Sequence, residues 1–456
     1  MKPTITTKTS IAGLIISLLA LAGCNQRLDI TPVQSIDQST ALSTPDGVKA
    51  TLVGAYSTMS ASEAVGVFGQ SYVYADLLAS TNEITWSGTY QGLTQMVNKQ
   101  MTVDNGFVTN LWLSSYKVIN QVNSVLASLN VLSAADRDRI EGEAKFIRGS
   151  VLFELVKLYA RDYGDGDPNT NPGVPIVLRP TTTISDSSYV ARSTVAQTYA
   201  QILSDLNDAE RLLPAANGVY ATQGAAAAML SRVYLMQRSY AGAASAANRV
   251  ISAGKYQLVT PVANEYPGLV QQPVGNTSED IFALQINTQS GYNVPNEYYG
   301  SSTYGGRGDV QVDSVLIRQF SATDERGKLF FNDDGSARTL KYQNQYANVP
   351  VLRLAEMYLT RAEANFRLGT STGATPLADI NTVRGRAGAP ALTALTLDAI
   401  LSERYKELIF EGQLLHDYKR TGRNIGNIGW NSPRLIFPIP QREMQSNPSL
   451  TQNAGY

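Results

Sequence analysis

Histidine occurs once in this 456-residue chain, at position 416, and cysteine once, at position 24. Any Ser-His-Asp or Cys-His site must therefore be built on one or both of them. Asp417 adjoins His416, but the G-x-S-x-G string before it, Gly369 to Gly373, follows a helical pattern and not a strand, so no elbow holds a serine at a strand-to-helix turn. The simpler reading makes His416 a packed or hydrogen-bonded residue in a helix or at its end. A pair of glycoside-cleaving carboxylates stays open in a chain with 38 Asp and Glu, yet no local feature selects two of them. Metal chemistry has one weak candidate, "DGDPNTN" at 165–171. Asp165, Asp167, Asn169 and Asn171 alternate as at the start of an EF-hand loop, but Thr170 stands where glycine is needed and Ile176 where the bidentate glutamate belongs. The segment reads as a polar turn. Arg307-Gly308-Asp309 is too short a motif to argue from, and Gly305, Gly306 and Gly308 do not join a strand to a helix as a dinucleotide loop would. The chain is accordingly read as a non-enzyme with neither cofactor nor metal.

The cysteine has a chemistry of its own because of where it stands. Lys2 and Lys8 lie in a polar opening, Ile11 to Leu21 is almost wholly apolar, and the small residues Ala22 and Gly23 directly precede Cys24. This is the layout of a secretory signal peptide, 1–23. The apolar run is shorter than the about 20 residues needed to span a bilayer. Cys24 is then the attachment point for acyl chains, each buried methylene of which contributes about 0.8 kcal/mol to membrane anchoring. Without a second cysteine no disulfide framework exists, so an exported chain must be held by its core, residues 24–456 forming one domain. A formal net charge of −1 gives no basic excess for nucleic acid.

The elements that would position a site are mostly helices. Ala144, Ile147, Val151, Leu155 and Leu158 step by three and four, as do Val195, Tyr199, Ile202, Leu206, Ala209 and Leu213, and likewise Leu111, Val118, Val122, Val125 and Leu129. A Leu-x-x-x-Tyr pair recurs at Leu52/Tyr56, Leu155/Tyr159, Leu230/Tyr234 and Leu354/Tyr358, one helical turn apart each time. Beyond Tyr234, the residues Tyr240, Ala243 and Ala247 let a second helix pack closely, as in a tetratricopeptide helix pair. Two stretches interrupt this pattern, 61–102 and 260–345. They are rich in Gly, Ser, Asn, Thr and Tyr, with short alternating pieces such as Asp280 to Gln285 that could be strands. Tyrosines outnumber phenylalanines 24 to 11. Their flat apolar face and hydroxyl suit wet contacts with sugars or peptides, and loops are where such contacts are usually mounted. The first insertion holds Tyr72, Tyr74, Trp86 and Tyr90, the second Tyr292, Tyr298, Tyr299 and Tyr304.

The C-terminal half carries more specific sequence: "VLRLAEMYLTRAEANFRLG" (351–369), "INTVRGRAG" (380–388), "ILSERYKELIFEG" (400–412) and "IFPIPQREMQSNPSLTQNAGY" (436–456). With "CNQRLDITP", "LWLSSYKVINQVNSVL" (111–126) and "GVPIVLRP" (173–180), these motifs resemble the SusD/RagB family of surface lipoproteins from Bacteroidetes-type bacteria. Bottom-up, Glu356 and Glu363 lie two turns apart with Arg353 and Arg361 nearby, which permits charge-assisted bonds between packed helices. The prolines of "FPIPQREMQSNP" fix an extended tail over the helices. One departure stands out: Leu414 and Leu415 occupy places where the family commonly has arginine and a large aromatic. The resemblance implies a mainly α fold, with tetratricopeptide-like helix pairs forming a right-handed superhelical platform and irregular insertions forming the ligand face. It further implies an acylated Cys24, an outer-membrane location facing the cell exterior, and a SusC-like TonB-dependent transporter as partner. The chain would capture an oligosaccharide or a peptide and close over that transporter as a lid. Trp86, Tyr90, Tyr292, Tyr298, Tyr299 and Tyr304 are the expected ligand contacts, with Trp86 best placed in a polar loop. Trp112 and Trp430 read as structural. A tetratricopeptide scaffold that binds only proteins is the competing reading.

Overall fold

The computed structural model describes residues 38–61, 66–266, 268–286, 291–333 and 335–456. The signal segment, 1–23, and Cys24 lie outside them. The scaffold opens with α1 (Pro45–Ser60), α2 (Phe68–Ala79), α3 (Gln91–Val97), α4 (Gly106–Ala127) and α5 (Ala134–Tyr159). It continues through α6 (Val195–Leu212), α7 (Gln223–Met236) and α8 (Tyr240–Ser252). Side chains of Thr44, Asn105, Ser133, Thr194 and Thr222 accept backbone N–H groups at the starts of α1, α4, α5, α6 and α7. Each such cap contributes typically ~1 kcal/mol to fixing where a helix begins. The helices α1, α4, α5, α6, α7 and α8 pack each against the next in chain order. In the α7–α8 pair, Ala243 and Ala247 are fully buried. A Cβ at Gly242 would lie 2.8 Å from the Tyr234 ring, so the tyrosine of the Leu-x-x-x-Tyr pair rests on a residue with no side chain.

The insertions add α9 (Val294–Tyr299) and the strands β1 (Ile84–Trp86), β2 (Asp280–Leu284), β3 (Val310–Val312), β4 (Phe330–Asp333) and β5 (Ser336–Thr339), followed by β6 (Val349–Arg353). These form three antiparallel pairs, β1 with β3, β2 with β6 and β4 with β5. The chain then returns to helices: α10 (Leu354–Leu368), which packs on α8, α11 (Pro376–Arg386), α12 (Leu397–Leu408) and α13 (Leu414–Thr421). The mainly helical architecture expected from the motifs is the one observed. The alternating piece at 280 is indeed a strand, although both its faces are buried.

The first insertion differs from expectation. Every residue of α2 is buried, so this helix shows no polar face and hence no 3.6-residue period by which to recognise it. Tyr72 and Tyr74 belong to it and lie in the core, not on a ligand surface. Asp76, also in α2, accepts hydrogen bonds from the Tyr299 hydroxyl at 3.0 Å and from the Gly412 N–H at 3.3 Å. Burial raises its pKa from 3.8 to about 7, the two hydrogen bonds and Lys341 opposing the shift and Glu411 adding to it. A carboxyl whose pKa rises on folding binds its proton more tightly in the folded chain. Its stabilising contribution is complete below the unfolded pKa near 4 and is lost as the pH climbs to about 7. Asp76→Asn, which keeps an acceptor and cannot ionise, should therefore gain stability relative to the parent between pH 4 and pH 8. Urea midpoints at the two pH values measure this, and an unchanged difference would refute it.

Glu356 and Glu363 do form charge-assisted bonds between helices, but with partners from α7 and α13. Glu356 takes both a 2.8 Å and a 2.6 Å bond from Arg232, and Glu363 takes bonds of 2.6 and 2.7 Å from Arg420. Arg361 pairs with Asp379 of α11 at 2.6 Å. Arg353 instead enters a buried cluster. It donates to Glu411 at 2.8 and 3.0 Å, to Glu279 at 2.6 Å and to Glu407 at 3.3 Å, while Arg386, Arg326 and Lys341 pair with the same glutamates. Arg353, Arg386, Glu407 and Glu411 of the C-terminal motifs thus share one ion network tying β6, α11 and the end of α12 to Glu279, the residue before β2, while Glu356, Glu363 and Arg361 pair outside it. Leu415 is buried in the core and Leu414 half-buried, so α13 forms without the arginine and aromatic common in the resembling sequences. The tail runs extended through Phe437 and Ile439, both buried, with Phe437 against Tyr74 and Tyr159. After Pro440 it turns into a short helix, Gln441–Ser446, that the proline pattern did not announce.

Candidate functional site

The two insertions, far apart in sequence, meet through β1 and β3. Ile84, Thr85 and Trp86 pair with Val312, Gln311 and Val310, and the Ser87 N–H donates to the Asp309 carbonyl at 2.8 Å. Beside this ribbon lies a cleft of about 390 Å³ between the start of α4 and the tyrosines of α9 and its approach. Tyr90, Phe107, Asn110, Tyr292, Glu297 and Tyr298 line it. Gly92 and Gly106 complete its wall; a Cβ on Gly92 would stand 2.6 Å from the Phe107 ring.

Tyr90 meets Phe107 and Tyr298 edge to face, and Trp86 lies tilted against Tyr298. Tyr90 lies 5.4 Å from Phe107 and 6.4 Å from Tyr298, and Trp86 lies 6.4 Å from Tyr298. Such spacings are those at which ring quadrupoles attract. Trp86 is half-buried and is held in place by an Nε1–H bond of 3.0 Å to the Thr94 hydroxyl. Gly88 follows it so closely that a Cβ there would fall 2.2 Å from the indole. Arg307 stacks its guanidinium 4.2 Å over the Tyr90 ring and is fixed by Asp309 at 2.8 Å and Thr89 at 3.0 Å.

Glu297 supplies the cleft's carboxylate. It accepts the Tyr292 hydroxyl at 3.2 Å and the Tyr90 hydroxyl at 3.4 Å. Burial raises its pKa, while those two bonds and the Arg307 charge favour the ionised form. The result is an aromatic wall with phenolic groups and one acceptor: apolar faces for a ring to lie on, and polar groups to meet hydroxyls or amides.

Of the six residues expected to contact a ligand, Tyr90, Tyr292 and Tyr298 line this cleft and Trp86 stands against it. Tyr299 points into the core, its hydroxyl on Asp76 and its ring against Tyr342 and Phe410. Adjacent residues on one helical turn cannot face the same way. Tyr304 lies outside the cleft with its ring on Phe331. Phe107, Asn110, Glu297 and Arg307 were not legible as site residues. Phe107 sits at the start of a core helix pattern, and Glu297 gave only one hint, being an acid directly before Tyr298-Tyr299.

Other candidates resolve structurally. His416 is buried in α13, and burial together with Lys157, Lys419 and Arg232 holds its pKa well below the usual range. The carboxylate of Asp417 is taken by Arg404 and Arg420. In 165–171, Asp167 accepts the Asn169 N–H at 2.9 Å and Asn171 reaches back to the Asp165 carbonyl, a closed polar turn. Trp112 is buried in the core. Among the described residues, no helix is long and apolar enough to cross a membrane.

Comparison with known proteins matches two stretches of the chain. A family described as "Starch-binding associating with outer membrane" matches residues 28–235, and one described as "SusD family" matches residues 287–432. The SusD-like protein P38 of Formosa agariphila is 23% identical over 97% of this chain and 98% of its own length. The starch-binding protein SusD of Bacteroides thetaiotaomicron is 29% identical over 34% of this chain and 30% of its own. A crystal structure of a putative sugar-binding protein from Bacteroides vulgatus superposes with a TM-score of 0.79 at 29% identity, covering 91% of this chain and 99% of the other.

Proposed function

From this chain's membership of the SusD/RagB family we infer a carbohydrate-binding protein associated with the outer membrane. In the finer reading, residues 24–456 form a lipoprotein domain anchored through Cys24 at the cell exterior. It captures oligosaccharides and delivers them, as a lid, to a SusC-like TonB-dependent transporter. The observation that carries the capture role is the cleft built where the two insertions join, with Tyr90, Tyr298 and Phe107 as its aromatic wall and Glu297 between two phenols. Saccharide rings stack their apolar C–H faces on such walls while their hydroxyls reach groups like Glu297 and Asn110. Trp86, Tyr90 and Tyr292 are the proposed ligand contacts, with Tyr298, 1% exposed, packed behind them.

The names of the starch-binding and sugar-binding relatives support a saccharide over a peptide. An array of neutral oligosaccharides and of peptides, probed with the purified chain, tests the choice. Binding of saccharides is expected, and binding of peptides alone would overturn it. Copurification with a β-barrel transporter from outer membranes tests the lid role; isolation with soluble partners only would favour the scaffold reading.

A further inference from the structure

A second cleft, of about 270 Å³, opens at the opposite end of the β1/β3 ribbon. Glu83, Gln319, Leu401, Tyr405, Leu414 and Tyr418 line it. It is walled by α12 and α13 on one side and closed on the other by the turn before β1 and a residue of the second insertion. The Glu83 carbonyl accepts the Asp313 N–H at 2.9 Å, which places this cleft one strand away from Trp86. At about 3.3 Å per residue the two sites stand about 10 Å apart along the ribbon.

Its chemistry is as suited to a polyhydroxylated ring as that of the first cleft. Tyr405 and Tyr418, one from each helix, are half-buried, and Leu401 and Leu414 supply apolar surface. Glu83 is buried, and three donors converge on one of its oxygens: the Thr81 N–H at 3.0 Å, the Thr81 hydroxyl at 2.5 Å and the Asn82 N–H at 2.9 Å. A carboxylate pinned in this way is a fixed acceptor group in the cleft wall. The other charges at this cleft are already paired, Asp417 with Arg404 and Arg420, and Arg423 with Asp398. The volume lies just below the roughly 300–1,000 Å³ of sites for drug-sized ligands, which fits a single ring.

We propose that this cleft is a second saccharide site, taking one neutral sugar ring between Tyr405, Tyr418 and Glu83. The choice of ligand class rests on the saccharide reading of the first cleft. The test is a titration of the purified chain, ¹³C-labelled at leucine methyls, with glucose, galactose, mannose and xylose in the millimolar range. At least one sugar should shift the Leu401 and Leu414 methyl signals saturably. The shift should vanish in Ser402→Trp, which fills the cleft from an exposed rim position, weaken at least tenfold in Tyr418→Ala, and persist in Trp86→Ala. Silence of both leucines with all four sugars would overturn the proposal, as would a shift that survives Ser402→Trp or disappears in Trp86→Ala. Trp86-dependent binding of oligosaccharides alongside silent leucines would leave the first cleft's reading intact and sink only this one.

Discussion

Arg353→Met should destabilise the fold by about 3–5 kcal/mol, the range for leaving buried charges without their partner. Arg353 is 2% exposed and holds Glu279, Glu407 and Glu411 at once. Without it Glu279 keeps Arg386 and the Val259 N–H at 3.0 Å, and Glu411 keeps Lys341 and the Tyr266 hydroxyl at 2.9 Å. The methionine matches the arginine stem in bulk, so the loss is electrostatic and no large cavity opens. Urea unfolding at neutral pH reads it as a lower midpoint with an unchanged slope. Burial works against the ionised form of Glu411, and the Arg353 charge, with Lys341, overcomes it and holds the carboxyl below its usual range. In the variant that carboxyl should take up a proton more readily, so the deficit should shrink as the pH is lowered. A loss under about 1 kcal/mol, the size of an exposed pair, would mean that the network contributes little to the fold.

Trp86→Ala should weaken oligosaccharide binding by about 2 kcal/mol, roughly thirtyfold in Kd, the cost of removing a central aromatic anchor. The indole braces Tyr298 and is itself held by Thr94, so its loss removes a contact surface and slackens the wall behind it. Gly88→Ala should weaken binding by a related route, since its new methyl cannot share space with the indole. Tyr304→Ala, whose ring lies on Phe331 outside the cleft, and Tyr299→Phe, whose hydroxyl serves Asp76, should leave affinity unchanged. Calorimetric titration with an oligosaccharide identified on the array decides this. Equal affinity of Trp86→Ala and parent would remove the tryptophan from the site.

The platform was legible where one face of a helix is wet. The stripes of α4 and α6 follow a 3.6-residue period because each keeps a polar face. That of α5 stood out because Arg148, Glu154 and Lys157 interrupt its apolar residues, although all from Phe146 to Tyr159 are buried, and the close α7–α8 pairing follows from Ala243 and Ala247. The helix α2 was not legible, because burial on every side erases the period that identifies a helix. The site was half legible for a related reason. Composition picked out the tyrosine-rich insertions, but it cannot say that Tyr298 and Tyr299 are both buried, one behind the cleft wall and the other on Asp76. Glu297 became visible only once α9 placed it against the hydroxyls of Tyr90 and Tyr292.

The ribbon that joins the insertions sets an order of events. Ser87 and Asp309 bond across 222 positions of chain, so closing that loop costs entropy that no local contact offsets. A polypeptide emerging from its N-terminus must leave β1 without its partner strand until the second insertion has arrived, while helices of the early scaffold can already pack. The ligand face is therefore completed only after the early scaffold, and with few local contacts behind it, it should open more readily than the helices packed in chain order. Amide protons of Ser87 and Trp86 are then expected to exchange with solvent sooner than those of α5.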